Sequence, residues 1–186
     1  DYVQIMTIGN ALDFGDLGTT GTKNSGSVSS STRGFWGGFY PRGDGTIDVV
    51  NIASKGNATL FGGAGSLFTD YAAVACSNSI RGIYAGGTNY PNPGSGYTRL
   101  IQYITMASDG NAIDFGDLNQ NLYWNAGSAS RTRGLISGGA TNVDTIQFVE
   151  IATTGNATDF GNLSEGRFQL GAFSSQTRSV VVGGSS

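Results

Sequence analysis

The chain has 186 residues, including 31 glycines and 3 prolines, and only 12% of its residues are charged. This length and composition suit one turn-rich β domain and argue against a helical protein. The net charge is −3, no basic patch is visible, and no apolar run approaches the roughly 20 residues of a membrane helix, so the sequence predicts neither nucleic-acid binding nor membrane insertion.

A repeat runs through the whole chain, with Gly-Asn-Ala as its clearest element. The asparagines of the four copies are Asn10, Asn57, Asn111 and Asn156, and a phenylalanine follows each at the same distance: Phe14, Phe61, Phe115 and Phe160. A second element begins at an arginine and ends at a Gly-Gly pair, and its arginines are Arg33, Arg81, Arg133 and Arg178. A fixed period of this length indicates an array of similar structural units.

In chain order, each unit predicts four short strands. Strand one is small and apolar, as in residues 72–76 and 169–173, and strand two runs from the arginine to Gly-Gly. Strand three is rich in β-branched and aromatic residues, as such strands require, and is predicted at residues 2–7, 49–54, 103–108 and 148–153. Strand four passes through Ala-x-x-Phe-Gly, and the Gly-Gly pairs predict either a backbone conformation or a close approach that a Cβ would block.

The phase of the repeat predicts a closed ring. The chain opens in strands three and four and ends in strands one and two, so the two ends together make one unit. We therefore predict one all-β domain, a four-bladed β-propeller with blades at about 25–63, 70–117 and 123–162 and a fourth at 168–184 closed by 1–17. The alternatives are part of a larger ring, or a half-ring that dimerises to eight blades.

The order of strands, Gly-Gly and loop resembles the kelch repeat. The run from Ile151 to Leu163, together with Thr-Arg-Gly and Gly-Gly, also resembles repeats in virion proteins of aquatic tailed phages. The resemblance implies a tail-fibre or other structural protein located on the virion or outside the cell. The chain departs from typical kelch repeats because phenylalanine stands where strand four usually carries tryptophan.

The residue types argue against catalysis. The chain contains no histidine, which removes the Ser-His-Asp and Cys-His triads and the usual zinc ligands. The aspartates beside strand four are interpreted as turn-capping groups and the repeated arginines as structural ones, and the lone Cys76 as a buried thiol. We predict no enzyme activity, no cofactor and no metal site, although a glycosidase with two suitably spaced carboxylates stays open.

Binding is expected where the units differ, which is in the loops after strand two and after strand four. Tyr, Trp, Asn and Arg in these loops could stack on sugar rings and bond hydroxyl groups. The candidate ligand-binding residues are Phe39, Tyr40, Arg42, Asn89, Tyr90, Asn92, Tyr97, Arg99, Tyr123 and Trp124. The alternative interpretation is that these aromatic residues only cover the ends of the blades.

Three roles therefore remain open at this stage. The first is a phage receptor-binding module that takes a host surface glycan, and the second is a structural or decoration module that contacts other virion proteins. The third is a cellular, lectin-like adhesion protein. Assembly into an oligomer is compatible with each of them.

Overall fold

The computed structural model describes residues 1–18, 26–37, 45–63, 73–88 and 96–186. Within these ranges the protein contains 14 β-strands and no helix, which confirms the prediction of an all-β fold. The strands form three antiparallel sheets of four strands and one antiparallel pair. In every sheet, consecutive strands along the chain are neighbours.

The three complete sheets repeat one plan. The first contains β1 (Gly26–Ser29), β2 (Arg33–Gly37), β3 (Thr46–Asn51) and β4 (Thr59–Gly63). The second contains β5 (Val74–Ser77), β6 (Arg81–Ala85), β7 (Leu100–Thr105) and β8 (Ile113–Asp117). The third contains β9 (Ala126–Ala129), β10 (Arg133–Ser137), β11 (Thr145–Glu150) and β12 (Thr158–Asn162), and the final pair is β13 (Phe168–Ser174) with β14 (Ser179–Ser185).

The predicted bounds of strand three were wrong. β3, β7 and β11 begin about three residues earlier than predicted and end at Asn51, Thr105 and Glu150. The residues that follow form a turn, closed by bonds such as that from the Ser54 amide to the Asn51 carbonyl at 3.3 Å. The apolar residue inside each turn made the turn look like a strand; Met106 and Ile151 are buried by packing between sheets, whereas Ile52 of the first sheet is 48% exposed.

The N-terminal copy of strand three was also predicted wrongly. Residues 2–7 do not form a strand, and one isolated antiparallel bridge joins Tyr2 to Leu12. This bridge occupies the same repeat positions as the Tyr103–Ile113 and Phe148–Thr158 pairs of the complete sheets. The N-terminal segment therefore keeps the pairing of strands three and four at one position only.

The sheets pack face to face, and the core lies between them. One cluster fills the space between the first and second sheets, with Phe35, Ile47 and Ile104 among its fully buried side chains. A second cluster fills the space between the second and third sheets, around Ile101 and Ile136. Burial of apolar area in these two layers is the main term that stabilises the stack.

The first strands of the sheets, β1, β5, β9 and β13, lie next to one another in that order. Their close approach depends on the residue after each arginine. A Cβ on Gly82 would lie 2.6 Å from Val28 of the preceding sheet, and a Cβ on Gly134 would lie 2.8 Å from the Cys76 sulfur. At the next contact Ser179 replaces glycine, and its hydroxyl group bonds the small Ser128 at 2.7 Å.

Repeated polar side chains join each unit to the next. The asparagine of Gly-Asn-Ala accepts a hydrogen bond from a backbone amide of the preceding unit: Asn57 from Asp16, Asn111 from Gly63 and Asn156 from Asp117, at 2.9, 2.9 and 3.0 Å. The arginines reach in the other direction. Arg33 donates to the carbonyl of Met106 at 3.0 Å and Arg81 to that of Ile151 at 2.9 Å.

The Gly-Gly pairs adopt the predicted special conformation where the structure describes both residues. Gly86 and Gly87 have φ of 66° and 100°, and the pairs at 138–139 and 183–184 are also positive. The amide of Gly87 thereby donates to the carbonyl of Leu122 in the next unit at 2.7 Å. In the first unit, the run from Arg33 to the Gly-Gly pair is one residue shorter than in the other units. Gly38 of that pair lies outside the described residues.

The two ends of the chain remain apart in this structure. Within the described residues, β14 pairs only with β13, and no backbone hydrogen bond joins residues 1–18 to residues 168–185. The segment 14–16 instead lies against the first sheet, where the Phe14 and Asp16 carbonyls accept from Gly56 and Ala58. A blade shared by residues 168–184 and 1–17 therefore stays a prediction.

Candidate functional site

The loops after strand two and after strand four meet at one end of the sheets, as predicted. Four of the candidate binding residues lie there within the described residues: Tyr97, Arg99, Tyr123 and Trp124. The other six candidates, Phe39, Tyr40, Arg42, Asn89, Tyr90 and Asn92, lie outside the described residues. The candidate site is therefore built here from the second and third units and the start of β13.

Three of these residues form a continuous row of aromatic rings with Phe168, which we call the aromatic row. Tyr97 and Tyr123 stack face to face, with ring centroids 4.1 Å apart and planes within 3°. Trp124 follows Tyr123 at 5.0 Å, and Phe168 stacks on Trp124 at 5.8 Å. Tyr97 is the most exposed member, so the row offers one open ring face and a set of ring edges to a ligand.

Phe168 was missed by the sequence analysis. It is the first residue of β13, which extends beyond the predicted segment 169–173 by one residue at each end. Phe168 lies ten residues before Arg178, at the repeat position that Tyr123 occupies before Arg133. The aromatic residue shared by this position was the available signal.

Local backbone geometry holds the row in place. Trp124 has φ of 56°, a conformation that costs energy for a residue with a side chain. Its carbonyl accepts from the Gln169 amide at 2.8 Å, and the carbonyl of Tyr123 accepts from Ala140 at 2.9 Å. All four non-glycine residues with positive φ within the described residues lie in this region: Trp124, Thr141, Asn142 and Gln169. Such strain is typical of functional regions.

The charged groups beside the row are paired. Arg99 lies 3.5 Å from a carboxylate oxygen of Asp117, and Arg167 lies 2.9 Å from Glu165. A side-chain hydrogen bond with Tyr97, aided by burial, raises the pKa of Tyr123. The described part of this surface carries no uncompensated cation.

Two polar side chains, Trp124 of the row and its chain neighbour Asn125, keep unused hydrogen-bonding capacity. The Trp124 Nε1 and both amide atoms of Asn125 are buried and have no partner among the described residues. Asn125 stands where the second sheet has Ala73, so it belongs to this unit and not to the repeat. Buried polar groups without partners are rare in proteins, and they mark this position as unusual.

The described residues do not support a metal centre or a membrane span. No group of three or more Cys, Asp or Glu side chains within them is placed to hold a metal ion. None of the described segments forms a helix long and apolar enough to cross a membrane.

No protein-family model matches the chain, and no curated protein matches it.

Proposed function

We propose that this protein is a non-catalytic binding module that presents the aromatic row to a glycan. The observation that carries the proposal is the row itself: four rings from three different segments are aligned at the end of the sheets where the loops vary. Aromatic rings stack on the apolar faces of sugar rings, while amide and hydroxyl groups around them bond the sugar hydroxyls. The absence of histidine from the sequence supports binding without chemistry.

The finer fold belongs to the same proposal. We propose that the four units are blades of a kelch-like propeller, and that residues 168–184 and 1–17 are the inner and outer halves of one blade. The support is that the Tyr2–Leu12 bridge and the Tyr2–Phe14 edge-to-face contact, at 6.1 Å and 75°, reproduce the outer half of a complete sheet. The matching contact in the second sheet is Tyr103–Phe115, at 5.9 Å and 81°.

The biological setting we propose is a virion surface of a tailed phage, with a bacterial surface polysaccharide as the ligand. The support is the sequence resemblance of the repeats. A cellular lectin-like adhesion protein would use the same surface in the same way. A phage protein and a cellular adhesion protein would bind a glycan through the same residues. Glycan binding is therefore tested first and the biological setting afterwards.

A second candidate function is a structural module that contacts other virion proteins. The observation that favours it is the apolar surface left at both ends of the stack, which includes Val3 and Ile5 at one end and Phe160 and Phe173 at the other. Exposed patches of this kind mark protein contacts. This role does not require the aromatic row, so the two functions can be separated by mutation.

The experiment is an array of bacterial surface oligosaccharides probed with the wild-type chain and the Tyr97→Ala variant. Tyr97 is the exposed end of the row, and we expect its loss to weaken binding by about tenfold, equivalent to roughly 1.4 kcal/mol. Ile80→Ala is the control, because Ile80 is 61% exposed in the turn before β6, at the opposite end of that sheet from the row. If the wild-type chain binds no glycan and virion assembly needs the protein, the structural function is correct instead.

A further inference from the structure

A groove lies between the third sheet and β14. It has a volume of about 740 Å³, and Arg133, Leu135, Phe160, Arg178 and Val181 are among the residues that line it. We call it the terminal groove. Large apolar side chains lie exposed in and around it, including Phe160 at 55% and Phe173 at 61%.

The repeat explains why the terminal groove is open. The residues equivalent to Phe160 in the first two sheets, Phe61 and Phe115, are only 5% and 3% exposed. They are covered by the Gly-Asn-Ala turn of the next unit, where Ala112 packs on the cluster around Phe61 and Ala157 belongs to the cluster around Phe115. Phe160 lacks that cover because the outer half of the following unit is not present beside it.

The strands that would cover Phe160 have the repeat pattern of the N-terminal segment. The apolar side chains of that segment are themselves exposed, on the side where a preceding unit would pack. Ile5 is 93% exposed, whereas Met106 and Ile151, at the same repeat position in the second and third units, are fully buried against the preceding sheet; Ile52 of the first unit, which has no complete sheet before it, is half-exposed. Val3 is exposed as well, and its equivalents Ile104 and Val149 are buried. The N-terminal segment therefore lacks a preceding inner half, which is what β13 and β14 are.

We propose that the terminal groove of one copy of this chain binds residues 2–12 of a second copy, so that the protein assembles head to tail. The proposal rests on the shared blade proposed above and assigns its two halves to neighbouring copies. Both surfaces are open within one molecule, and residues 14–16 are already bonded to their own first sheet. Joining two copies therefore leaves the backbone hydrogen bonds of residues 14–16 in place. Such a contact is heterologous and generates a ring or a filament.

The strand register of the complete sheets predicts which residues of the two copies would face each other at this contact, which we call the joint. Gly82 opposes Ile104 and Gly134 opposes Val149, so Ser179 of one copy opposes Val3 of the next. β14 thereby gains a partner along its open edge, which removes a row of unpaired backbone groups. On the first strand, Val28 and Cys76 lie against Gly82 and Gly134, so Phe173 would lie against Gly34 of the second copy, where it would replace the Trp36 ring that lies 3.3 Å from the position of a Cβ on Gly34.

Two arginines complete the joint. The guanidinium of Arg81 lies 4.5 Å from the Tyr103 ring, and that of Arg133 lies 4.5 Å from the Phe148 ring. By the same spacing, Arg178 would stack on Tyr2 of the second copy. Within the described residues the Arg178 guanidinium contacts neither a ring nor a carbonyl group, so it is available for this contact.

The test uses single-cysteine variants mixed under mild oxidation. Val3→Cys is mixed with Ser179→Cys, and Cys76 stays in place because its thiol is buried. Opposed positions on neighbouring strands have Cα atoms roughly 4.5–5.5 Å apart, a separation that a disulfide spans. The control mixes Val3→Cys with Ser185→Cys, which lies six residues along β14 and so about 20 Å from the joint.

We expect a disulfide-linked heterodimer from the first mixture and none from the control. The double variant, with both cysteines in one chain, separates the remaining outcomes. A cross-linked monomer without heterodimer would overturn assembly between copies and leave the shared blade intact. No cross-link in either experiment would overturn the shared blade as well. Glycan binding by the aromatic row is measured separately and is unaffected by either result.

A second variant tests the same surface without covalent chemistry. Ile5→Lys places a charge on a side chain that is exposed within the single chain, so its fold should be unchanged. We expect at least a tenfold loss of self-association in sedimentation experiments. Ile80→Lys adds the same charge in the turn before β6, away from the joint, and should associate as the wild type does. Equal association by both variants would contradict the proposal.

Discussion

Cys76 shows how strongly a single residue depends on the stacking of the sheets. Its side chain is enclosed between the second and third sheets, against Gly134. Burial raises the pKa of its thiol from an ordinary value near 9 to about 12, because the thiolate loses its hydration there. Tyr84 is buried in the neighbouring cluster, and burial raises its pKa as well.

The raised pKa of Cys76 predicts a loss of stability in alkaline solution. The unfolded thiol ionises near pH 9 and the folded one near pH 12, so between these values the folded state holds more protons. The free energy of unfolding should therefore fall as pH rises through this window, by at most about 1.4 kcal/mol per pH unit for this group.

Urea denaturation at pH 8 and pH 10.5 measures the effect. In Cys76→Ala the difference between the two pH values should be smaller, and what remains should come from groups such as Tyr84. An identical pH dependence in the variant and the wild type would show that Cys76 is not buried in this way.

At the scale of elements, the stack is built from matched large and small residues on successive first and second strands. Val28 faces Gly82, Cys76 faces Gly134, and the two serines Ser128 and Ser179 bond each other. The size of a side chain on one strand thus limits the size of the side chain that faces it on the neighbouring sheet. The repeat varies in sequence at these positions while the separation of the sheets is preserved.

We expect Gly134→Ala to destabilise the protein by about 1–3 kcal/mol, because the new methyl group would press on the Cys76 sulfur at 2.8 Å. The midpoint of thermal unfolding should fall by roughly 2–4 °C for each kcal/mol. The double variant Cys76→Ala/Gly134→Ala should recover part of this loss, since the sulfur is removed.

Gly171→Ala is the matched control for this change. A Cβ at Gly171 in β13 would meet its nearest atom at an ordinary 3.6 Å, so its unfolding midpoint should stay close to that of the wild type. If Gly134→Ala is as stable as Gly171→Ala, the close packing of the second and third sheets is incorrect.

The repeat in the sequence predicted the number and order of the strands, but it did not predict correctly the residues at which strand three begins and ends. The spacing of Arg81, Gly-Gly and Gly-Asn-Ala predicted four strands per unit, and the structure confirms four in each complete sheet. The end of strand three was misplaced because Ile151 and Met106 are buried between sheets while lying in turns. Burial of that kind depends on a neighbouring unit, which a pattern within one unit does not reveal.

The candidate site could be predicted in part. Tyr97, Tyr123 and Trp124 were expected on one surface, and the structure brings them together. Phe168 was missed although it occupies the repeat position of Tyr123, and Asn125 was missed because no other unit has an asparagine at its position. Their role comes from the positive φ of Trp124 and from the packing of the third sheet on β13, neither of which leaves a pattern in the sequence.

At the scale of the whole molecule, the repeat places variable loops at one end of the sheets and leaves a complementary surface at each end of the stack. The proposed glycan binding by the aromatic row depends on the first property, and the proposed head-to-tail joint depends on the second. The two surfaces share only the neighbourhood of β13, where Phe168 belongs to the row and Phe173 to the joint. A virion module that binds a glycan and also assembles would need both.

The most direct test of glycan binding uses the two tryptophans of the chain, Trp36 and Trp124. Trp124 lies in the aromatic row, whereas Trp36 lies in β2 and outside it, so their indole N–H signals provide a site and an internal control. In a titration with bacterial surface oligosaccharides followed by ¹H–¹⁵N NMR, we predict a saturable shift of the Trp124 signal and a constant Trp36 signal. If the Trp124 signal does not move with any oligosaccharide, or if only Trp36 responds, the aromatic row is not a glycan-binding site.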